Sequence, residues 1–460
     1  MRRMIVRVQV EESGSEKFWL EEIDADIADA GVMSAFTSKP VSDAVLQMGQ
    51  GQLSPKMVSQ AGQWLYQLLS ANTPVQQALQ LALSVNNDQY PIYIDIRSDH
   101  ADELPWETLF NPSGSNFLAL DQRWPIGRIA SSKDDTRKYY FDPPLKIVVI
   151  LTATGVDAMP EWEALWSVIS AARIETKVHV FVCQDDLKQQ IDGLQNPSVT
   201  TAYLTDAFDL MNAIRDFDPN ILHFFCHGAT EPTPRLLLAT KADWLTNSST
   251  VQITPADLAG INQATGNTWL VTLNCCLGAA PVAQAQSLAR KLVMEGFPAA
   301  IGMREMVAST DAHIFCRGLY NLVLNELIKA DEEPQIEICW AKLLFEARGR
   351  LAHHHANGQA VMDAAAELKE WTLPVLYIKR QPFIIRGSSK NDQLTTEQKH
   401  NLQVQLNLLQ QFRDQFAMTA PAPALHDIDT QIAQLKSQLY PGAAPPAAVV
   451  NGAGVNAGVG

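Results

Sequence analysis

The sequence predicts an α/β fold: a doubly wound sandwich around a mostly parallel sheet, preceded by a smaller α/β unit and followed by a helical hairpin. Three observations carry this expectation. From Leu145 onward short apolar runs alternate with amphipathic stretches, the pattern of βαβ units with right-handed crossovers. Near the start, Met4, Val6, Val8 and Val10 alternate with Arg7 and Gln9, as in a half-buried strand. Beyond Arg386, leucines and phenylalanines recur at three- and four-residue spacing, as on one face of a helix.

The first unit, residues 1–140, opens with that alternating strand. It continues through helical stretches from Pro55 to Leu69 and Val75 to Leu83, and reaches a strand from Tyr90 to Ile96. In Leu104-Pro105-Trp106-Glu107-Thr108-Leu109-Phe110 the proline pre-sets φ for a short helix, so that Trp106 and Leu109 face inward as core residues. The second unit, residues 141–386, reads as strands at Leu145–Leu151, Val178–Val182, Ile221–Cys226, Leu270–Leu273, Ala299–Met303 and Leu373–Ile378. Between them come helices around Glu161–Ala172, Ala207–Phe217, Ala283–Glu295, Ser309–Leu327 and Ile336–His353. Residues 387–440 form two amphipathic helices with a break at Thr419-Ala420-Pro421-Ala422-Pro423. A pair this short is marginal alone and docks on the body or on a partner. Residues 441–460, rich in Gly, Ala, Pro and Val without period, read as a flexible tail.

Composition excludes several functions. The net charge of −15, from 50 acidic against 35 basic residues, repels nucleic acid and anionic lipid alike, and no basic cluster offsets it. No apolar stretch approaches the roughly 20 residues of a membrane span, and a folded N-terminal strand speaks against a signal peptide, so a cytoplasmic protein is expected. Six cysteines without a CxxC pair suit a reducing compartment and indicate no zinc site. His353-His354-His355 cannot all face one ion from a helix end, and no carboxylate or cysteine stands beside them at ligand spacing; they read as polar surface. The loop Thr152-Ala153-Thr154-Gly155-Val156 lacks the glycines of a dinucleotide loop. No cofactor and no metal are expected.

Two blocks carry chemistry. Ile221-Leu222-His223-Phe224-Phe225-Cys226-His227-Gly228 and Leu270-Val271-Thr272-Leu273-Asn274-Cys275-Cys276-Leu277-Gly278 are apolar strands that each end in a reactive side chain. In parallel sheets active groups sit just past the carboxyl ends of the strands. His227 and Cys276 would therefore surface on one edge, as a base and a thiol nucleophile. Cys226 reads as a buried core thiol and His223 as a satisfied strand histidine.

These boxes resemble the His-Gly and Cys boxes of CHAT-domain proteases, the caspase-like, separase-related branch of clan CD cysteine peptidases. LPWETLF before the sheet, Ser287-Leu288-Ala289-Arg290 through Gly296-Phe297-Pro298-Ala299, and the closing WTLPVLYIK fit the same family. The resemblance implies the caspase-hemoglobinase fold and hydrolysis of peptide bonds in a protein or peptide substrate. It aligns Cys276 with the nucleophile and Cys275 with a small filler position, and it gives the backbone N–H groups of Gly228 and Cys276 to the oxyanion. In some related peptidases an aspartate two residues before the nucleophile lines a pocket for a basic side chain. Here that position is Asn274, which lacks the charge, and Asp157 is a second candidate pocket residue, weighed against a solvated loop carboxylate.

The resulting expectation is an intracellular cysteine endopeptidase with a His227–Cys276 dyad, regulated by a partner. The hairpin resembles short helical segments that accompany effector domains in bacterial conflict and signalling proteins. Two readings compete with it: a catalytically silent protease-fold scaffold that binds partners through the hairpin, and a flavodoxin-like ligand-binding protein whose two boxes are core strands by coincidence.

Overall fold

The computed structural model describes residues 3–10, 16–22, 34–36, 57–84, 89–130, 137–229, 233–274, 284–305, 307–387, 396–416 and 422–439. In chain order the strands used below are β1 Met4–Val10, β2 Glu16–Glu22, β3 Ser34–Phe36, β4 Ile92–Ile96, β5 Ile126–Ala130, β6 Leu145–Leu151, β7 Thr176–Val182, β8 Val199–Tyr203, β9 Ile221–Phe225, β10 His227–Ala229, β11 Arg235–Leu238, β12 Val251–Ile253, β13 Leu270–Leu273, β14 Ala299–Met303, β15 Gln335–Ile338, β16 Pro374–Ile378 and β17 Phe383–Gly387. The helices are α1 Met57–Ser70, α2 Thr73–Ser84, α3 Met159–Ile169, α4 Ala207–Phe217, α5 Pro255–Thr265, α6 Gln284–Met294, α7 Ser309–Glu332, α8 Trp340–His355, α9 Thr396–Phe416 and α10 Ala422–Leu439.

A twelve-stranded sheet runs β8-β7-β6-β9-β13-β14-β16-β5-β4-β1-β2-β3. Strands β8 to β14 of that order are mutually parallel, and so are β16, β5, β4 and β1; the two blocks meet antiparallel where β14 pairs with β16. The expected mixed α/β class with a large, mostly parallel sheet is the observed one. Alternation along each strand divides the apolar side chains between two faces. Leu222, Phe224, Val271 and Leu273 join Leu210 and Ile214 of α4, Leu258 of α5 and Leu288 and Leu292 of α6 in one core cluster. The intervening residues include His223, which meets Tyr320 of α7 and Glu161 of α3. Helix starts follow local chemistry: Thr254 and Asp257 form a reciprocal capping box at α5 with Pro255 in its first turn, and Gly266, at φ 75°, ends it.

The structure departs from the sequence expectations in two places. The limit at residue 140 is no boundary between sheets, because β1 to β5 from before it and β6, β7, β8, β9, β13, β14 and β16 from after it share one sheet. Strand β16 stitches the two blocks, covering edges that would otherwise present unpaired backbone. Met1–Lys133 and Phe141–Gly387 form one compact unit; Asp134–Tyr140 and Ser388–Gly460 form the other. The expected helix from Ile336 begins late. Gln335–Ile338 is the strand β15, antiparallel to β17, with Ile336 and Ile338 buried in alternation, and α8 starts only at Trp340.

In the second unit α9 and α10 pack on each other, joined by the ion pair of Arg413 with Asp429 at 2.5 Å. Leu406 and Ile432 are buried, whereas Val404, Leu408 and Phe412 remain exposed. The expected tail, residues 441–460, lies outside the described residues. Among the described residues no helix is long and apolar enough to cross a membrane.

Candidate active site

His227 stands two residues past the carboxyl end of β9, half-buried at the start of β10. Strands β10, β11 and β12 form a small antiparallel sheet of their own, in which His227 lies opposite Leu237 and Gly228 opposite Leu236. Among the described residues the imidazole is oriented by a hydrogen bond of its Nε2, 2.8 Å from the backbone oxygen of Thr154. A carbonyl can only accept, so Nε2 carries the proton, and Nδ1, buried and without a hydrogen-bond partner among the described residues, offers its lone pair. Thr154 is held in turn, its hydroxyl bonding the Ser248 carbonyl at 3.0 Å and the Ser249 hydroxyl. The loop turns at Gly155, φ 69°, where an added Cβ would lie 2.9 Å from Asn247 Oδ1.

Strand β13 lies beside β9 in parallel register, Ile221 opposite Leu270 and Phe224 opposite Leu273. Asn274 continues the ladder, donating its N–H to the Phe224 carbonyl at 2.8 Å. Its side-chain amide donates to Glu161 Oε1 at 2.7 Å and to the Ala312 carbonyl at 3.1 Å. Asn274 is fully buried; both amide protons are spent holding the strand end, and its Oδ1 has no hydrogen-bond partner among the described residues. Cys275 and Cys276 follow immediately in the chain and lie outside the described residues.

Glu161, which the sequence offers only as a first-turn helix residue, is the hub beneath this edge. It is fully buried, and Oε1 also takes a hydrogen bond from His223 Nε2 at 2.9 Å. That fixes His223 Nδ1 as acceptor for the Tyr320 hydroxyl at 3.1 Å. Both ring nitrogens are thus occupied and His223 is a satisfied core histidine. Oε2 of Glu161 lies 3.8 Å from His313 Nε2. Burial lowers the pKa of His313 and, with the neighbouring carboxylate, pushes the Cys316 thiol well above its usual range. Burial likewise raises the Tyr320 phenol, so neither Cys316 nor Tyr320 is ionised at neutral pH. Cys226 is buried in the core.

Asp157 is exposed and its carboxylate caps its own loop, accepting the Met159 N–H at 2.9 Å. Asn274 has other partners, Glu161 and the Ala312 carbonyl. The LPWETLF stretch is structural: Trp106 is fully buried and donates to the Ala101 carbonyl at 2.7 Å, and Glu107 grips Arg128 of β5 with both carboxylate oxygens, at 2.9 and 2.7 Å. The signal for Glu107 lay in the motif; Glu161, Thr154 and Tyr320 had none, because their partners are 62, 73 and 97 residues away.

The site thus belongs to a mostly parallel α/β fold in which one strand leads into the histidine box and its neighbour toward the cysteine pair. The chain belongs to the CHAT domain family, whose model matches residues 59–335, more than half of the chain. No curated protein matches it. Among solved structures it is similar to the Saccharomyces cerevisiae separase–securin complex, at 12% identity and TM-score 0.33, over 78% of this chain and 21% of that one. A second structure of that complex gives 11% identity and TM-score 0.32, over 69% and 17%. The Arg-specific cysteine proteinase gingipain R gives 9% identity and TM-score 0.36, over 68% and 69%. The chain thus spans about a fifth of the length of the separase chain it matches.

Proposed function

We propose that this chain is a cysteine endopeptidase in which His227 serves Cys276 as general base. The observation that carries the reading is the hydrogen bond from His227 Nε2 to the Thr154 carbonyl, which leaves Nδ1 as a lone-pair nitrogen at the strand edge toward which β13 runs. The order of the strands supports the pairing. Residues of β9 and β13 face each other in parallel, Ile221 opposite Leu270 and Phe224 opposite Leu273, so the histidine box and the cysteine box follow neighbouring strands that run the same way. Membership of the CHAT family supports the chemistry.

In the proposed reaction Nδ1 takes the thiol proton and Cys276 Sγ attacks the peptide carbonyl, forming a C–S bond. The backbone N–H groups of Gly228 and Cys276 stabilise the oxyanion. Collapse breaks the C–N bond as His227 returns the proton to the leaving amine, and water then hydrolyses the thioester. Asn274, two residues before the proposed nucleophile, is itself anchored by three hydrogen bonds.

The direct test is labelling of Cys276 by a thiol-reactive peptide electrophile, read by mass spectrometry. His227→Ala should lower turnover by about 10²- to 10⁴-fold, the usual contribution of a positioned base, and add nothing to the loss from Cys276→Ala, since the two act as one unit. Unchanged turnover in His227→Ala rejects the dyad, whereas a native chain with neither labelling nor turnover leaves the scaffold reading.

Regulation is the second part of the proposal: the hairpin binds a regulatory protein partner in a bacterial conflict or signalling system. Val404, Leu408 and Phe412 recur every four residues on α9 and stay 43%, 59% and 53% exposed, an apolar stripe of the kind a helix partner covers. Truncation after residue 387 should leave the first unit folded and dyad labelling intact, while capture of the protein encoded beside it and activation by that protein are lost. Equal capture and activation by the full-length and truncated chains would reduce the hairpin to a brace.

A further inference from the structure

We infer that Asp311, His354 and His355 form a binding site for a divalent transition-metal ion of the Zn²⁺ class, clamping the start of α7 to the end of α8. In sequence these residues do not meet: the histidines end α8 and the aspartate stands in the first turn of α7, more than 40 positions earlier. The antiparallel packing of the two helices joins them. One ligand atom from each, a carboxylate oxygen and two imidazole nitrogens, lies within 4.8 Å of both others. Any three points so spaced share a centre no farther from each than 4.8 Å divided by √3, about 2.8 Å. Closing to the 2.0–2.2 Å of Zn–N and Zn–O bonds therefore takes side-chain adjustments of under about 1 Å.

The chemistry of the set suits such an ion. Two imidazoles and one carboxylate are borderline donors that select Zn²⁺ and its neighbours over Mg²⁺ or Ca²⁺. Asp311 is only 4% exposed and has His355 Nε2 at 2.7 Å; a carboxyl group so withdrawn from water takes a hydrogen-bond partner or a metal ion beside it. Histidine supply is local as well, since four of the ten histidines of the chain, His313, His353, His354 and His355, lie on these two helices. An entry path exists: a cavity of about 450 Å³ bordered by His313, His353, His354 and Glu163 opens directly beside His354. The buried trio Glu161, His223 and Cys316 also lies within ligand distance, but both nitrogens of His223 are already hydrogen-bonded and all three side chains are sealed from solvent. Asp311 directly precedes Ala312, whose carbonyl holds Asn274, so an ion here would also stiffen the helix end that supports the cysteine box.

The site is tested on the full-length chain after chelator treatment, by titration with ZnCl₂ against a metal-indicator dye and by thermal melting. The expected result is one Zn²⁺ per chain with a raised Tm, and affinity reduced at least tenfold in His354→Gln, which is exposed and leaves the fold intact, and in Asp311→Asn. His353→Gln should bind as the native chain does. Co²⁺ substitution should give a spectrum of nitrogen and oxygen ligands. Absence of Zn²⁺ binding overturns the inference. So does unaltered affinity in folded Asp311→Asn, which would mean adventitious binding to exposed histidines. A thiolate-to-cobalt charge-transfer band would place the ion on a cysteine instead and equally overturn it. None of these readouts depends on proteolysis.

Discussion

Cys276→Ala should lower peptide cleavage by at least about a thousandfold, the scale at which losing a nucleophile leaves only binding and oxyanion stabilisation. Its neighbour makes the sharper control. Adjacent side chains on an extended segment point to opposite sides, and the family resemblance assigns the filler position to Cys275, so Cys275→Ala should keep turnover within about tenfold of the native chain. Both variants should melt with the native protein, because Asn274 continues to anchor the segment through its backbone N–H and its amide. The measurement is one cleavage assay run on both, with circular dichroism as the check on folding. A dead Cys275→Ala beside an active Cys276→Ala would shift the nucleophile by one residue and overturn the alignment that the resemblance gives.

The second large effect is on stability. Arg128 is wholly buried among Glu107, Asp102 and the Leu104 carbonyl, at 2.7–3.0 Å, and Asp102 also accepts the Tyr377 hydroxyl at 2.7 Å. Burial opposes the charge on Glu107, but the charge of Arg128 and its two hydrogen bonds prevail and hold that carboxyl below its usual range. Arg128→Met strands a buried carboxylate and should cost about 3–5 kcal/mol in urea unfolding, while Arg128→Met with Glu107→Leu, which removes both charges, should lose clearly less. Linkage has the matching sign. A depressed carboxyl contributes stability that is present above the ordinary glutamate value of about 4.3 and is lost as the pH falls through its lower folded value. A single replacement costing under about 1 kcal/mol would show the pair to be dispensable.

Much of the fold was legible because apolar periodicity is a local property. The strands Leu145–Leu151, Leu270–Leu273 and Ala299–Met303 begin and end where their apolar runs do, and α4 matches its predicted bounds. Short alternating segments were less legible: Gln335–Ile338 reads equally as the start of a helix and became a strand only because β17 was there to pair with it. That strands on both sides of residue 140 share one sheet was not legible, since whether β5 and β16 pair depends on contacts across roughly 250 residues, which leave no trace in either segment.

The sequence by itself determined the chemistry on offer: a histidine and a cysteine at the ends of two apolar strands, in boxes specific enough to name the family. Tertiary structure alone decided how those groups are held. It set the tautomer of His227 through the Thr154 carbonyl, anchored Asn274 on Glu161, and brought Asp311 to His354 and His355. The physical reason is the same in each case. A hydrogen bond or a ligand shell is satisfied by whichever group the packing delivers to about 3 Å, and chain separation places no restriction on which group that is.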